Sequence, residues 1–392
     1  MSEDSGRLLV VDDNEDNRDM LSRRLARRGY AVAVAVDGAA ALALLAAEAF
    51  DLVLLDVMMP GVDGFQVLTE LRRTRSLAEL PVIMATARDR NEDVVRALEL
   101  GANDYVTKPL DFAVVHARVR TQLELQRARR ALERANRRMK RDLEAGARIQ
   151  RALIPQAAPA LPGVAVAWAF EPCAELGGDI FDVFEFGDGW LGLYLLDVSG
   201  HGVPAALTSV TLSRMLSHMG ADSLLFDGTA GGTGKLKAPA AAAAELNRRF
   251  PMEQASGQYF TLLYGALDPA RRKLHFVAAG HPAPLVLKAG APASALESGG
   301  PPIGMIPEAP FTAATIALEP GDRLYFFSDG ILEARSEAGE FFGDERLVEL
   351  LAAARAEPIA TSLERLVASL RSWCRPSDPD DDVSVLGVEI TG

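Results

Sequence analysis

Cysteine is nearly absent: Cys173 and Cys374 are the only two, and neither has the spacing of a metal site or a redox pair. That excludes a disulfide framework and a cysteine-held zinc module, and a reducing cytoplasm is the expected compartment. Long apolar runs are missing as well. The longest, Gly38 to Ala47, is alanine-rich and falls far short of the ~20 residues that span a bilayer, so no membrane partner is expected. The opening MSEDSGR is acidic and polar, unlike a secretion signal. Positive charge is not in excess either: a net charge of −13 argues against a protein that coats nucleic acid. What the chain does have is apolar material, 49% of 392 residues, enough for two cores and a linker.

From about Asp111 to Pro155 the sequence reads as one long helix. Leu125, Ala128, Leu132, Ala135 and Met139 alternate steps of three and four residues, which makes a heptad seam. The seam then slips by one residue to Leu143 and resumes at Ile149 and Leu153. A slip of that kind locally unwinds a coiled coil. The helix from Leu125 to Leu153 would reach on the order of 40 Å, too far for one small domain to cover. Its other faces carry Arg127, Arg129, Arg130, Arg134, Arg137, Arg138, Lys140 and Arg141 against few acids. Because those charges share the helix with an apolar stripe, they are read as a solvated coiled-coil exterior rather than a nucleic-acid arm. The segment is expected to connect two domains and to form a homodimer.

Ahead of it, five short apolar runs alternate with amphipathic helical ones, beginning with Leu8–Val11 and Glu15–Arg28 and ending at Tyr105–Val106. Strands buried on both faces predict a doubly wound α/β fold on a five-stranded parallel sheet, with its site at the carboxyl ends of the strands. Asp12 and Asp13 close the first strand, Asp56 the third, Thr86 the fourth and Lys108 the fifth. Three converging acids repel one another, and a hard divalent cation relieves the repulsion. A lysine on the same rim can pair with a phosphoryl group.

The motifs VVDDN, LLDVMMPGVDG, MATA and YVTKPL resemble those of the two-component receiver domain, over roughly the first 120 residues. The resemblance implies that Asp56 takes a phosphoryl group from a sensor histidine kinase or phosphotransfer protein. It also implies that Asp13, Asp56 and the Met58 carbonyl hold Mg²⁺, with Asp12 acting through water, and that Thr86 and Tyr105 are the switch pair.

Beyond the rod, strands and helices come in batches. Strands are expected at Val164–Phe170, Leu191–Leu196, Tyr259–Leu267, Lys273–Ala278, Pro284–Lys288, Leu324–Phe327 and Val383–Ile390. Helices are expected from Val203 to about Met219, at Asp344–Arg355 and at Ile359–Trp373, with a mobile loop in the first half of Gly231–Ala244. The pattern suggests an α+β domain of two packed sheets flanked by helices. Acids again collect at strand ends: Asp179 and Asp182 in GGDIFD, Asp197 in LLDVSGHG, Asp329 in FFSDG, and Asp381 with Asp382 in DDVSV. Carboxylates without histidine or cysteine partners favour Mg²⁺ or Mn²⁺, and a pair of such ions can activate water and clamp phosphoryl oxygens.

These motifs, with ARIQRALIP before them and AGHPAPL among them, are similar to the SpoIIE/RsbU branch of the metal-dependent type 2C serine/threonine phosphatases, from about Ala147 onward. Carried over by motif, Asp197 bridges two Mn²⁺ or Mg²⁺ ions with the Val198 carbonyl as a further ligand. Asp179, Asp329 and Asp381 complete the shells, with Asp382 the neighbouring candidate. The last rod turns, Ile149 and Leu153, become part of a regulatory helix. Ser199 stands where eukaryotic relatives have a proton-donating histidine, and no arginine lies near Asp179. His201 and His281 are then alternatives as proton donor, phosphate contact or structural groups.

The chain is thus read as a receiver domain (7–120), a helical coiled-coil linker (121–155) and a phosphatase domain (162–391). Phosphorylation of Asp56 is expected to control hydrolysis of a phosphoserine or phosphothreonine, and the resemblance suggests a phosphorylated STAS-type anti-sigma-factor antagonist as substrate. The rival reading is a receiver-controlled, non-catalytic adaptor. A DNA-binding regulator would need an output motif such as a helix-turn-helix, and none follows the receiver.

Overall fold

The computed structural model describes residues 6–87, 91–173, 176–200, 202–217, 223–227, 235–252, 257–288, 293–296, 298–377 and 379–391. The chain divides into two compact units, Met1–Arg138 and Met139–Gly392.

In the first unit, β1 (Arg7–Val11), β2 (Ala31–Ala35), β3 (Leu52–Asp56), β4 (Val82–Ala87) and β5 (Asp104–Lys108) form a parallel sheet in the order β2-β1-β3-β4-β5. Between them run α1 (Glu15–Arg27), α2 (Gly38–Ala47), α3 (Gly64–Thr74) and α4 (Asn91–Glu99). Parallel strands covered on both sides explain the unbroken apolar runs. One core, around Leu9, Val53, Leu55 and Met84, faces α2 and α3. The other, around Leu8, Val10, Leu54 and Ile83, takes in Leu21 and Leu25 of α1 and Val115, Val119 and Leu123 of the next helix. Two caps hold the loops at the carboxyl ends of the strands. The Asn14 side chain accepts the N–H groups of Asp16 and Asn17, and Asp63 with Gln66 forms a capping box that starts α3.

The long helix, α5, spans Phe112–Arg151. Every residue from 127 to 142 is exposed, and the seam residues Leu125, Leu132 and Met139 are each at least 60% exposed. Within the second unit a stripe at Leu143, Ala147, Gln150 and Ile154 turns inward, at the spacing of a straight helix. Leu153, just past the helix, packs instead on the core around Ile180 and Leu196. Ile149 does not, at 66% exposure, because it lies off that stripe.

The second unit has two five-stranded antiparallel sheets. The first, in the order β15-β12-β11-β8-β7, is built from β7 (Ile180–Phe186), β8 (Trp190–Val198), β11 (Phe260–Asp268), β12 (Lys273–Ala279) and β15 (Ala314–Ala317). The second, in the order β14-β13-β16-β17-β6, is built from β6 (Val164–Glu171), β13 (Leu285–Leu287), β14 (Ser294–Ala295), β16 (Arg323–Phe327) and β17 (Val383–Ile390). A two-stranded ribbon joins β9 (Phe226–Asp227) to β10 (Lys235–Leu236). The sheets face each other across Leu193, Leu263 and Phe276 on one side and Leu324, Phe326 and Leu386 on the other. Outside the first sheet lie α6 (Val203–Leu216) and α7 (Pro239–Arg249); outside the second lie α8 (Asp329–Leu332), α9 (Gly343–Ala353) and α10 (Ile359–Cys374).

Several elements here go beyond the sequence expectation, among them the short strands β9, β10, β14 and β15 and the one-turn helix α8. Strand β7 passed unnoticed because Asp182 and Glu185 interrupt its apolar residues; it is an edge strand, where polar side chains can reach water. Helix α7 begins in the second half of Gly231–Ala244, after the stretch expected as a mobile loop, since a proline followed by an alanine run suits a helix start. Residues 231–234 of that loop, and His201, lie outside the described residues.

Candidate functional site

On the first unit, the ends of β1 and β3 bring Asp12, Asp13 and Asp56 together, with carboxylate oxygens all within 4.8 Å of one another. Asp12 and Asp56 are each 2% exposed, while Asp13 faces solvent. The Lys108 ammonium donates to Asp56 Oδ2 at 2.6 Å and lies 3.1 Å from Asp12 Oδ2. Burial pushes the Asp56 carboxyl above its usual range, against the pull of Lys108. Burial alone would lower the pKa of Lys108, but hydrogen bonds and charge from Asp56 and Asp12 outweigh it and raise the value. The Met58 N–H reaches Asp56 Oδ1 at 3.4 Å. Gly64 is required here, because a Cβ on it would come within 2.1 Å of the Asp56 carbonyl.

Thr86, at the same rim, is 1% exposed and its hydroxyl has no hydrogen-bond partner among the described residues. Tyr105 is half-buried against the core below. Two contributors were not anticipated. Asn17 Nδ2 donates to both Asp12 oxygens, at 3.2 and 3.1 Å, and Arg18 donates to the carbonyls of Asp12 and Asp13 at 2.7 and 2.8 Å. Their signal was positional: both lie on the first turn of α1, directly above the acids.

On the second unit, Asp179 precedes β7, Asp197 stands near the end of β8, Asp329 opens α8, and Asp381 and Asp382 precede β17. Asp179 is 2% exposed and accepts from Ser384 Oγ at 2.6 Å. Its carboxyl meets that of Asp197, and burial together with the Asp197 and Asp382 charges holds its pKa well above the usual range. Asp197 is pushed up to about 7, by burial first and then by Asp329, Asp381 and Asp382. Burial, Asp381 and Glu333 raise Asp329. Like charges crowded out of water are the common cause.

The aspartate doublet separates by role in this geometry. Asp382, 2% exposed, accepts the N–H groups of Cys173 and Asp179 at 3.0 and 3.2 Å and so fastens the loop that carries Asp179. Asp381 is exposed, and its charge bears on Asp329 and Asp197. Asp182 stands apart on β7, beside Tyr194. Unlike the first trio, no three of these carboxylates lie within 4.8 Å of one another among the described residues. They are chained in pairs instead.

An all-oxygen donor set fits Mg²⁺ or Mn²⁺. The backbone approach fits as well: a Cβ on Gly178 would lie 2.7 Å from the Val198 carbonyl and 3.3 Å from Asp197 Oδ1, so glycine keeps that cradle open. Ser199 is committed to the backbone, its N–H donating to the Tyr259 carbonyl at 2.9 Å and its Oγ accepting from Tyr259 N–H at 3.0 Å. His281 is 8% exposed and bonded to Thr261 Oγ1 at 2.8 Å, and burial takes its pKa down to about 3. This neutral, enclosed ring is built into the fold.

Gln150 was missed by sequence reasoning. At 4% exposure it donates to the Gly177 carbonyl at 2.8 Å and to Ser209 Oγ at 3.1 Å, and accepts from Gly177 N–H at 3.3 Å. It links the end of α5 to the Asp179 loop and to α6. The available signal was a polar residue inside the Ala147–Ile154 apolar stripe.

A family model for the response regulator receiver domain matches residues 8–120, and one for Stage II sporulation protein E (SpoIIE) matches residues 187–391. Response regulator PleD of Caulobacter vibrioides is 45% identical over 117 residues, 30% of this chain and 26% of PleD. Protein IcfG of Synechocystis sp. is 30% identical over 264 residues, 63% of this chain and 41% of IcfG. The chain spans a quarter to a half of the length of the curated relatives it matches. The SiaA-PP2C domain of Pseudomonas aeruginosa shares the fold, with a TM-score of 0.54 and 24% identity, over 65% of this chain and 98% of that one. Matched by the SpoIIE model over more than half its length, the chain belongs to the SpoIIE family and carries a response regulator receiver domain ahead of its PP2C-type phosphatase domain.

Proposed function

We propose that this protein is a response regulator in which phosphorylation of Asp56 controls a metal-dependent phosphoserine/phosphothreonine phosphatase. The observation that carries the reading is the chain of neighbouring carboxylates Asp179, Asp197, Asp329 and Asp381, drawn from four distant segments, in which burial and like charge push up Asp179, Asp197 and Asp329. Crowded carboxylates cost stability unless a cation compensates them, so such a cluster is the mark of a metal site.

In the receiver, residues 7–120, Asp56 accepts the phosphoryl group from a histidine kinase or phosphotransfer protein. Asp12, Asp13 and the Met58 carbonyl would hold Mg²⁺ with it. Lys108 pairs with the new charge, and the unpartnered Thr86 hydroxyl gains an acceptor in a phosphoryl oxygen, with Tyr105 following it inward. The linker, residues 121–155, joins two copies along the exposed Leu125–Met139 seam.

In the phosphatase domain, residues 162–391, Asp197, Asp179, Asp329 and Asp381, with the Val198 carbonyl as a further ligand, would hold two Mn²⁺ or Mg²⁺ ions. When bound, the ions supply Lewis-acid stabilisation and a water of lowered pKa. The chain's own part is to keep the acids spaced: Asp382 and Gln150 fix the Asp179 loop, and Ser384 orients the Asp179 carboxyl. A phosphorylated STAS-type anti-sigma-factor antagonist is the substrate suggested by the family.

The test is phosphate release by the purified full chain with Mn²⁺, from a phosphoserine protein and from p-nitrophenyl phosphate. Asp197→Asn should abolish both, and Asp56→Ala should remove the response to a phosphodonor. Binding of the phosphoprotein without turnover by the wild type would instead favour the adaptor reading.

A further inference from the structure

Beside the acid cluster lies an apolar surface that neither the fold nor the hydrolytic site uses. Val203 and Leu207, one turn apart on α6, are 45% and 63% exposed; Met252, Met305 and Ile306 are 36%, 41% and 50% exposed. Backbone and side-chain bonds tie these segments to one another and to the site. Tyr259, bonded both ways to Ser199, is preceded by Gln258, whose Oε1 accepts from Thr208 Oγ1 on α6 at 2.9 Å. Gly257 donates to the Met252 carbonyl at 3.0 Å, and Met252 donates to the Gly304 carbonyl at 2.9 Å. Ile303 and Phe260 exchange bonds of 2.8 and 3.2 Å, and Phe260 is the cross-strand partner of Val198.

The loop bearing Met305 and Ile306 is not free to fold its apolar side chains inward. Buried Asn247 grips it on both sides, accepting from Gly304 N–H at 2.8 Å and donating to the Ile306 carbonyl at 2.9 Å. At Gly304, φ is +90° and a Cβ would come within 2.4 Å of the Phe250 carbonyl, so the turn is built for glycine. Two thioethers and three aliphatic groups are therefore held out in water by a preorganised frame. Methionine-rich surfaces of that kind adapt to a partner's shape.

Distance supplies the occupant. Val198, Phe260 and Ile303 are successive rungs, so Ile303 lies roughly 10 Å from Val198 at the strand spacing of ~4.8 Å. A protein partner covers about 800 Å² on each side of a standard interface, a disc reaching ~16 Å from its centre. A folded phosphoprotein that centres its phosphoserine on Asp197 is thus wide enough to reach the loop that follows Ile303. We propose that Val203, Leu207, Met252, Met305 and Ile306 form the docking surface for the body of a phosphoprotein substrate, holding its phosphorylated serine or threonine at the acid cluster. This rests on the phosphatase reading above and deepens it: specificity for proteins comes from an apolar platform outside the hydrolytic centre.

The experiment compares wild type with a Leu207→Glu/Ile306→Glu double variant, using full-length protein and Mn²⁺. Two substrates are run, p-nitrophenyl phosphate and a STAS-domain protein phosphorylated on serine. Docking predicts a KM for the phosphoprotein raised at least about tenfold in the variant, the size expected when central interface anchors are lost, with turnover of p-nitrophenyl phosphate unchanged. Unchanged kinetics on both substrates overturn the docking surface and leave the phosphatase reading standing. A wild type inactive on both overturns the phosphatase reading itself. Equal loss on both substrates, repeated with the milder Met305→Ser and Ile306→Ser, also overturns docking. So does a variant that dissociates a dimer in sedimentation while its phosphoprotein KM stays at the wild-type value, which would make the surface a contact between copies.

Discussion

Adjacent aspartates 381 and 382 are chemically identical and are separated by their surroundings alone. Asp382 holds two backbone N–H groups inside the domain, so Asp382→Ala strands both. Its expected cost is about 2–4 kcal/mol, since hydrogen bonds to a charged acceptor are worth more than neutral ones; a denaturant titration of the metal-free protein measures it. Asp381→Ala removes an exposed charge that repels Asp329 together with the acceptor of the Asp382 N–H at 2.8 Å, so the same titration should show a smaller loss than Asp382→Ala, while Mn²⁺ affinity by calorimetry falls.

Protonation gives a second expectation at this scale. With Asp197 raised to about 7 and Asp179 and Asp329 raised alongside it, the cation-free fold binds more protons than the unfolded chain between pH 7 and the usual carboxylate range. The cluster therefore favours the fold more as pH drops through that window. His281 has the opposite sign, because its folded value of about 3 lies below the ordinary histidine value of 6.5 and its contribution is lost as pH falls between those values. The two oppose each other in stability, so cation affinity is the cleaner readout. Mn²⁺ must displace protons, and its affinity should fall about tenfold per pH unit below 7 for each proton released, measured by calorimetry in the presence of the intact fold.

Among the elements, the loop between β6 and β7 and the last turns of α5 act together. Gln150 makes its three bonds inside a buried stripe, so Gln150→Ala should cost roughly 2–3 kcal/mol from stranded partners. Because the bonds to Gly177 also set where Asp179 stands, Mn²⁺ affinity should drop although Gln150 touches no cation; stability without loss of affinity would break that link. Gly178, on the same loop, faces the Val198 carbonyl. Gly178→Ala would press a methyl group against the Val198 carbonyl, and its effect should fall on affinity and turnover more than on the denaturation midpoint.

For the molecule as a whole, sixteen consecutive exposed residues of α5, 127 to 142, leave an apolar seam in water that a partner helix would cover. Self-association is expected, and Leu132→Glu should yield monomers in sedimentation while leaving both units folded. The rod's exterior bears Arg127, Arg129, Arg130, Arg134, Arg137, Arg138, Lys140 and Arg141 against Glu133 and Asp142. Two such rods side by side repel, so moderate salt should tighten the dimer by screening, the reverse of association through opposite charges.

The sequence by itself determined the receiver's five-stranded parallel sheet and the long helix, and it marked the acids at the strand ends, because buried strands and sharp strand ends leave local marks: apolar runs broken by Asp and Gly. It did not reveal β7, whose Asp182 and Glu185 mask the apolar alternation, nor α7, hidden in an alanine-rich stretch. Only the tertiary structure separated Asp381 from Asp382, enclosed His281 as a neutral ring, and brought Gln150 to the Gly177 backbone. Those outcomes depend on what stands across a gap of up to two hundred residues in the chain. Burial and hydrogen-bond partners at that range are properties of the packed fold, and no local pattern carries them.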